Sequence, residues 1–189
     1  FLQTPLLDAA LGSLNYLLEE SKCNDLLTLV GMPLRCCGKL YNCAVLFQQG
    51  EILGVVPKTS LPNYSEFYEA RHFVPAPAEN STLFLLGKEV PFGSRLLFAC
   101  RQLQQLIVGV EICEDLWTPN PISTQHALAG ATVILNPSAS NETVGKEQYR
   151  RMLVQSQSAR LVCGYLYSDA GEGESTTDLV FAGHNLIAE

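Results

Sequence analysis

Thr4-Pro5 precedes a stretch in which Leu6, Leu7, Ala10, Leu14, Leu17 and Leu18 recur at helical spacing. A polar cap residue followed by proline in the first turn is a favourable helix start. The pattern therefore predicts an amphipathic helix over residues 5–21. LLTLVGMP (26–33) is an apolar run and predicts a buried strand stopped by Pro33. NCAVLFQQGEILGVVPK (42–58) has two apolar runs around Gln49-Gly50 and predicts a hairpin. TSLPNYSEFYEARHF (59–73) is polar, aromatic and irregular, which predicts a loop with one or two helical turns. Beyond it, strands are predicted over 81–86, 93–100 and 106–113. A short helix follows over 124–131, then a strand over 132–140 that runs into a polar loop. A long helix is predicted over 146–161, a strand with a glycine-rich exit over 162–171, and a last hairpin over 178–189.

Strands thus alternate with helices, and several strands are apolar on both faces, as in α/β layered folds. The length of 189 residues allows one domain with a sizeable core. A hydrophobic share of 47% argues against disorder, and a charged share of 16% implies many buried positions. The net charge of −7, with no basic run, argues against a nucleic-acid partner. No apolar run approaches the roughly 18–20 residues of a membrane span, and the first residues do not read as a secretory leader. Seven cysteines (23, 36, 37, 43, 100, 113 and 163) at irregular spacing, without a CxxC pair, fit neither a disulfide framework nor a zinc site. They predict reduced thiols in a cytoplasmic protein and no metal. The chain starts at Phe1 and stops within a predicted strand, so it reads as a piece of a longer chain, incomplete at both ends.

Candidate chemistry gathers where strands end. In GVEICEDLW (109–117), Cys113 follows an apolar strand and stands among Glu111, Glu114 and Asp115. A thiol reacts as thiolate, and neighbouring carboxylates oppose that charge. Cys113 is either a small buried hydrophobe or a nucleophile on a turn whose backbone N–H groups can hold an oxyanion. In VVPKTSLPNY, Lys58 also follows an apolar strand. It is either solvated or the ammonium that offsets those carboxylates and stabilises a tetrahedral oxyanion. SEFYEARHF offers Glu66 and Glu69, as surface acids or as a general base. The ILNPSASNETVGK loop can bind a polar substrate end or merely cap the helix after it.

PKTSLPNYSEFYEARHF, GVEICEDLW, NPSAS and GYLYSDAG together resemble the carbon–nitrogen hydrolase (nitrilase) superfamily. Within it they resemble the glutamine amidotransferase domains of glutamine-dependent NAD+ synthetases, from about Leu26 onward. The resemblance implies a nitrilase-like four-layer αββα sandwich, residues 1–189 forming one incomplete domain of that kind, and a Glu-Lys-Cys triad. Cys113 matches the nucleophile and Lys58 the lysine. Glu69 matches a supporting glutamate, and Glu66 stands where related amidases place that role. Tyr64 and Phe67 match aromatic residues lining the glutamine pocket, Glu114 a reader of the substrate α-amino group, and Ser140 another pocket residue. Lys146 stands where some relatives have arginine, and a lysine cannot give the substrate carboxylate arginine's bidentate grip. The triad's own glutamate matches nothing in residues 1–189, so these residues alone are expected to have negligible glutaminase activity. The resemblance further implies glutamine as substrate, a thioester on the cysteine, and ammonia passed to a synthetase domain of the same chain. That domain, whose glycine-rich ATP loop is absent here, would use ATP, Mg and deamido-NAD+, and no cofactor is implied for residues 1–189. Self-association is also implied. Two other readings stay open: an amidase acting on a different amide or nitrile, and a non-catalytic structural module.

Overall fold

The computed structural model describes residues 2–174, 176 and 178–189. Among them the chain forms two compact units, one built mainly from residues 2–63 and 67–96, the other from 64–66 and 97 onward.

The first unit holds a helix, α1 (Thr4–Ser21), and five strands: β1 (Thr28–Cys36), β2 (Lys39–Gln48), β3 (Glu51–Pro57), β4 (Ser81–Leu85) and β5 (Lys88–Phe92). Their order in the sheet is β1-β2-β3-β5-β4. Tight turns set the register. Cys37-Gly38, Gln49-Gly50 and Leu86-Gly87 each carry positive φ at both residues, as type I′ hairpin turns require. α1 turns Leu14 and Leu18 onto the sheet, where they pack with Tyr41, Cys43, Val45, Phe47 and Val55. Leu6 and Leu17, assigned by spacing to the same apolar face, are exposed.

Three strand predictions change here. β1 runs through Pro33 to Cys36, with Pro33 opposite Asn42. An edge strand tolerates proline because the missing N–H would have faced away from the ladder. β2 starts at Lys39, so the predicted hairpin becomes the second half of a three-stranded meander. β5 was not predicted: KEVPF has two charges and a proline, and its pairing with β3 is confined to Val55 and Phe92.

The second unit contains β6 (Leu97–Ala99), β7 (Ile107–Val110), α2 (Ile122–Leu128), β8 (Val133–Ser138), α3 (Lys146–Leu161), β9 (Gly164–Asp169) and β10 (Leu186–Ala188). The sheet order is β10-β9-β8-β7-β6, with β7, β8 and β9 mutually parallel. α2 and α3 are the crossover helices that parallel pairing demands. α3 matches its predicted bounds. α2 starts two residues before its predicted start. The strand predicted over 93–100 shrinks to β6, and that over 106–113 stops at Val110. In place of a terminal hairpin over 178–189, β10 pairs antiparallel with β9. Ile134, Val154, Tyr165 and Tyr167 form the core of this unit with Leu116 and Cys163.

Gly109, in the middle of β7, leaves room for a buried histidine. A Cβ there would lie 2.8–2.9 Å from ring atoms of His126. Gly109→Ala is therefore expected to destabilise the fold by about 1–3 kcal/mol, the usual range for overpacking. A thermal melt checks this, and an unchanged midpoint would show that His126 can move at no cost. No helix among the described residues is long and apolar enough to cross a membrane.

Candidate active site

In the second unit the polar groups collect at the carboxyl ends of the parallel strands, the usual position for ligand sites in open α/β sheets. β7 ends at Val110, and Cys113 opens a short 3-10 turn, Cys113–Leu116. Its φ is +48°, a left-handed conformation uncommon for a residue with a Cβ. Three side-chain bonds fasten this turn. The Cys113 N–H donates to Asn136 Oδ1 at 2.8 Å. The Ile112 N–H donates to Asp115 Oδ2 at 2.9 Å. The Ser123 N–H donates to Glu111 Oε2 at 2.9 Å.

The three acids around Cys113 thus have different surroundings. Asp115 is buried and ties off the turn. Glu111 is fully buried, and burial pushes its carboxyl up to about 7 against the lowering effect of bonds from Tyr165 and Ser123. Glu114 accepts a hydrogen bond of 2.9 Å from the Tyr64 hydroxyl. Burial raises the Tyr64 phenol above its ordinary value, and the Glu114 bond and the charges of Glu114, Cys113 and Glu66 add to this.

Lys146, the first residue of α3, stands 5.3 Å from the centroid of the Trp117 ring and donates to Asn141 Oδ1. Burial lowers its ammonium below the ordinary value, while the charges of Cys113, Glu66 and Glu114 work the other way. Lys146 is therefore within electrostatic reach of the thiol. Asn141 Nδ2 donates to Glu66. Bonds from Ser65 and from the backbone of Glu66 hold that carboxyl below its ordinary range, helped by Asn141 and Lys146. Ser140 is buried, its N–H donating to Asp169 Oδ1 at 2.7 Å and its hydroxyl accepting from Arg150.

In the first unit, Lys58 directly follows β3 and is 2% exposed. Its ammonium lies 2.6 Å from Glu69 Oε2. The other Glu69 oxygen accepts from Asn42 Nδ2 at 3.0 Å. Backbone bonds hold both ends, Lys58 N–H to Asn42 O at 2.8 Å and Glu69 N–H to Pro62 O at 3.1 Å. A buried ammonium is tolerable because it is paired and bonded in this way.

The family profile described as carbon–nitrogen hydrolase matches residues 6–180. The chain belongs to this family. The resemblance seen in the strand-end motifs is therefore correct. The glutamine-dependent NAD(+) synthetase of Mycobacterium tuberculosis (strain H37Rv) is 48% identical over 190 residues, covering 100% of this chain and 28% of that protein. The Mycobacterium leprae protein of the same name is 48% identical over 160 residues, covering 85% of this chain and 24% of that protein. The chain thus spans about a quarter of the length of these relatives. Among solved structures, a glutamine-dependent NAD(+) synthetase from Cytophaga hutchinsonii superposes with a TM-score of 0.80 at 32% identity, over 95% of this chain and 29% of that one. A carbon–nitrogen hydrolase from Helicobacter pylori gives 0.72 at 18% identity over 97% of this chain and 61% of that one, a likeness of fold. The α/β nitrilase-type fold expected from the sequence is the fold of this chain.

In this carbon–nitrogen hydrolase chain the predicted residues fall into two groups. Cys113, Glu114, Tyr64, Glu66, Ser140 and Lys146 belong to the second unit, and Lys58, Glu69 and Phe67 to the first. Glu69 carries the ion pair to Lys58, while Glu66 is bonded by Asn141. Sequence reasoning missed Arg150. It is fully buried and donates to Ser140 Oγ, Asn141 O and Glu142, with His184 Nδ1 at 3.2 Å. It clamps the loop that carries Ser140 and Asn141. An arginine one turn beyond Lys146 was the available signal, but helical spacing alone does not tell a buried arginine from a solvated one. Among the described residues no group of three His, Cys, Asp or Glu side chains could hold a metal.

Proposed function

We propose that this chain is the glutamine-hydrolysing domain of a glutamine-dependent NAD+ synthetase. Cys113 attacks the side-chain amide carbon of glutamine, the tetrahedral intermediate expels ammonia, and a γ-glutamyl thioester remains. Water then attacks the thioester and releases glutamate. Lys58, held by Glu69, supplies positive charge for the thiolate and the oxyanion. Glu114, with Tyr64, receives the substrate α-ammonium group. Phe67 and Ser140 line the glutamine pocket, and Lys146 faces the α-carboxylate as a point charge. Ammonia passes to a synthetase domain of the same protein, which uses ATP, Mg and deamido-NAD+.

One observation carries this reading beyond generic amide hydrolysis: Glu114, next in sequence to Cys113 and bonded by Tyr64, places a fixed negative charge beside the nucleophile. A simple aliphatic amide has no use for that charge, whereas the ammonium end of glutamine does. The full-length relatives point the same way. The test is substrate profiling of the intact protein and its Glu114→Gln variant. Wild type is expected to prefer glutamine to a simple aliphatic amide. Glu114→Gln is expected to lose about 1.5–3 kcal/mol of glutamine binding, or roughly 10- to 150-fold in KM. Efficient hydrolysis of simple amides with glutamine ignored would favour the amidase reading.

A further inference from the structure

Glu111 stands two residues before Cys113 in GVEICEDLW, yet the proposed reaction gives it no task. It is fully buried, as are Asn136 and Tyr165, and the three form one chain of directed hydrogen bonds ending on the nucleophile's backbone. The Tyr165 hydroxyl donates to Glu111 Oε1. Asn136 Nδ2 donates to the Tyr165 oxygen at 2.8 Å. Asn136 Oδ1 accepts from the Cys113 N–H at 2.8 Å and from the Ser138 hydroxyl at 2.9 Å.

Each link fixes the next. A carboxylate only accepts hydrogen bonds, so both Glu111 oxygens require donors, and the N–H and hydroxyl of Ser123 and the Tyr165 O–H provide them. The tyrosine has one proton. Once it is committed to Glu111, the phenol oxygen can only accept, and the Asn136 amide must turn its NH2 toward it. The amide oxygen then faces the Cys113 N–H. That bond holds Cys113 at φ +48°, a conformation costing on the order of 1–3 kcal/mol that must be held from outside.

We propose that Glu111 is a positioning residue for the nucleophile: its negative charge, relayed through Tyr165 and Asn136, dictates which end of the Asn136 amide meets the Cys113 turn. The inference rests on Cys113 being the nucleophile. Glu111→Gln keeps the volume but inverts the relay. Its single acceptor is taken by the Ser123 donors, so its NH2 faces Tyr165. The tyrosine proton turns toward Asn136, the amide flips, and two donors oppose each other at Cys113.

Protonation of Glu111 acts in the same sense, because a neutral acid can donate to Tyr165. Among the described residues, the titratable groups that act on Glu111 include Tyr165 from β9 and Asp115 from the Cys113 turn. α2 contributes Ser123, bonded in turn by Gln157 of α3, and the buried His126 against Gly109. Burial raises the Glu111 carboxyl to about 7, so the ionised form predominates above that pH and is lost progressively as the pH falls through it.

The experiment measures glutamine hydrolysis by the intact protein from pH 5.5 to 8.5. Glu111→Gln is expected to lower kcat about 10- to 100-fold, the scale of a misplaced reacting group, with KM within about twofold. Wild-type kcat is expected to fall below about pH 7, and this fall should be absent from the variant. Tyr165→Phe should lower kcat similarly, and the double variant should be no worse than either single one, since both break one relay. A wild-type kcat in Glu111→Gln, an acid limb unchanged by the substitution, or additive losses would overturn the proposal. If Glu111→Gln does not fold, the wild-type profile decides, and a kcat flat from pH 8 to 6 overturns it. Cys113→Ala is run alongside. Retained glutamine hydrolysis there would remove the nucleophile assignment itself, an outcome distinct from failure of the relay.

Discussion

Cys113→Ala in the intact protein is expected to abolish glutamine-driven NAD+ formation and to leave ammonia-driven formation near the wild-type rate. Removing a nucleophile that acts with its partners as a unit costs on the order of 10⁶ in kcat in a comparable hydrolase. The separation between the two nitrogen sources is what makes the result specific. Alanine keeps the backbone N–H that donates to Asn136, and it carries the same Cβ at φ +48° as cysteine, so the turn after β7 should persist. The loss then belongs to the thiol. Loss of both activities would point to a general folding defect, and retention of both would remove Cys113 from the reaction.

Lys58→Met is expected to produce the second-largest effect, and to act on both rate and stability. Removing one group that stabilises an oxyanion costs about 10²–10³ in kcat. Lys58 is also proposed to favour the thiolate, so the loss should reach the top of that range. Its partner Glu69 would keep the Asn42 bond but lose the ammonium at 2.6 Å. Breaking a buried pair by removing one member costs about 3–5 kcal/mol. Glu69 is 23% exposed, so water can reach it and the cost should lie at the low end. Glutamine turnover and the unfolding midpoint, measured on the same variant, separate the two effects. Lys58→Arg should restore the charge without the activity, because a planar guanidinium does not fit the place of a compact ammonium. A fully active Lys58→Met would leave the ion pair with a structural role alone.

Sequence pattern exposed those parts of the fold in which local preference and burial agree. α3 matched its predicted bounds because its polar start and its end before β9 are both local signals. β5 escaped because two charges and a proline hide a strand that joins β3 at a single residue pair. Pro33 misled for the opposite reason: as a chain signal it stops a strand, but β1 is an edge and its ladder survives. The hairpin expected over 178–189 failed because β10 pairs with β9, across sequence, which no local pattern records.

The site divides in the same way. Cys113, Lys58, Glu69 and Glu114 stand in strand-end motifs and were visible as such. What fixes them was not. Asn42 reaches Glu69 across 27 residues, Asn136 reaches the Cys113 backbone across 23, and Tyr165 reaches Glu111 across 54. The contrast is sharpest in GVEICEDLW. Three acids beside a cysteine read as a field opposed to a thiolate. The fold gives one to the turn and another to Tyr64, and encloses the third in a relay that ends on the cysteine's own N–H.

The measurement that bears most directly on the central claim is capture of the intermediate. The intact wild-type protein is quenched in acid during glutamine turnover, digested, and its cysteine-containing peptides are weighed by mass spectrometry. One γ-glutamyl group is expected on the peptide containing Cys113, lost on treatment with hydroxylamine and absent from Cys113→Ala. A glutamyl adduct on another residue, or steady turnover with Cys113 unmodified at every quench time and pH, would contradict it.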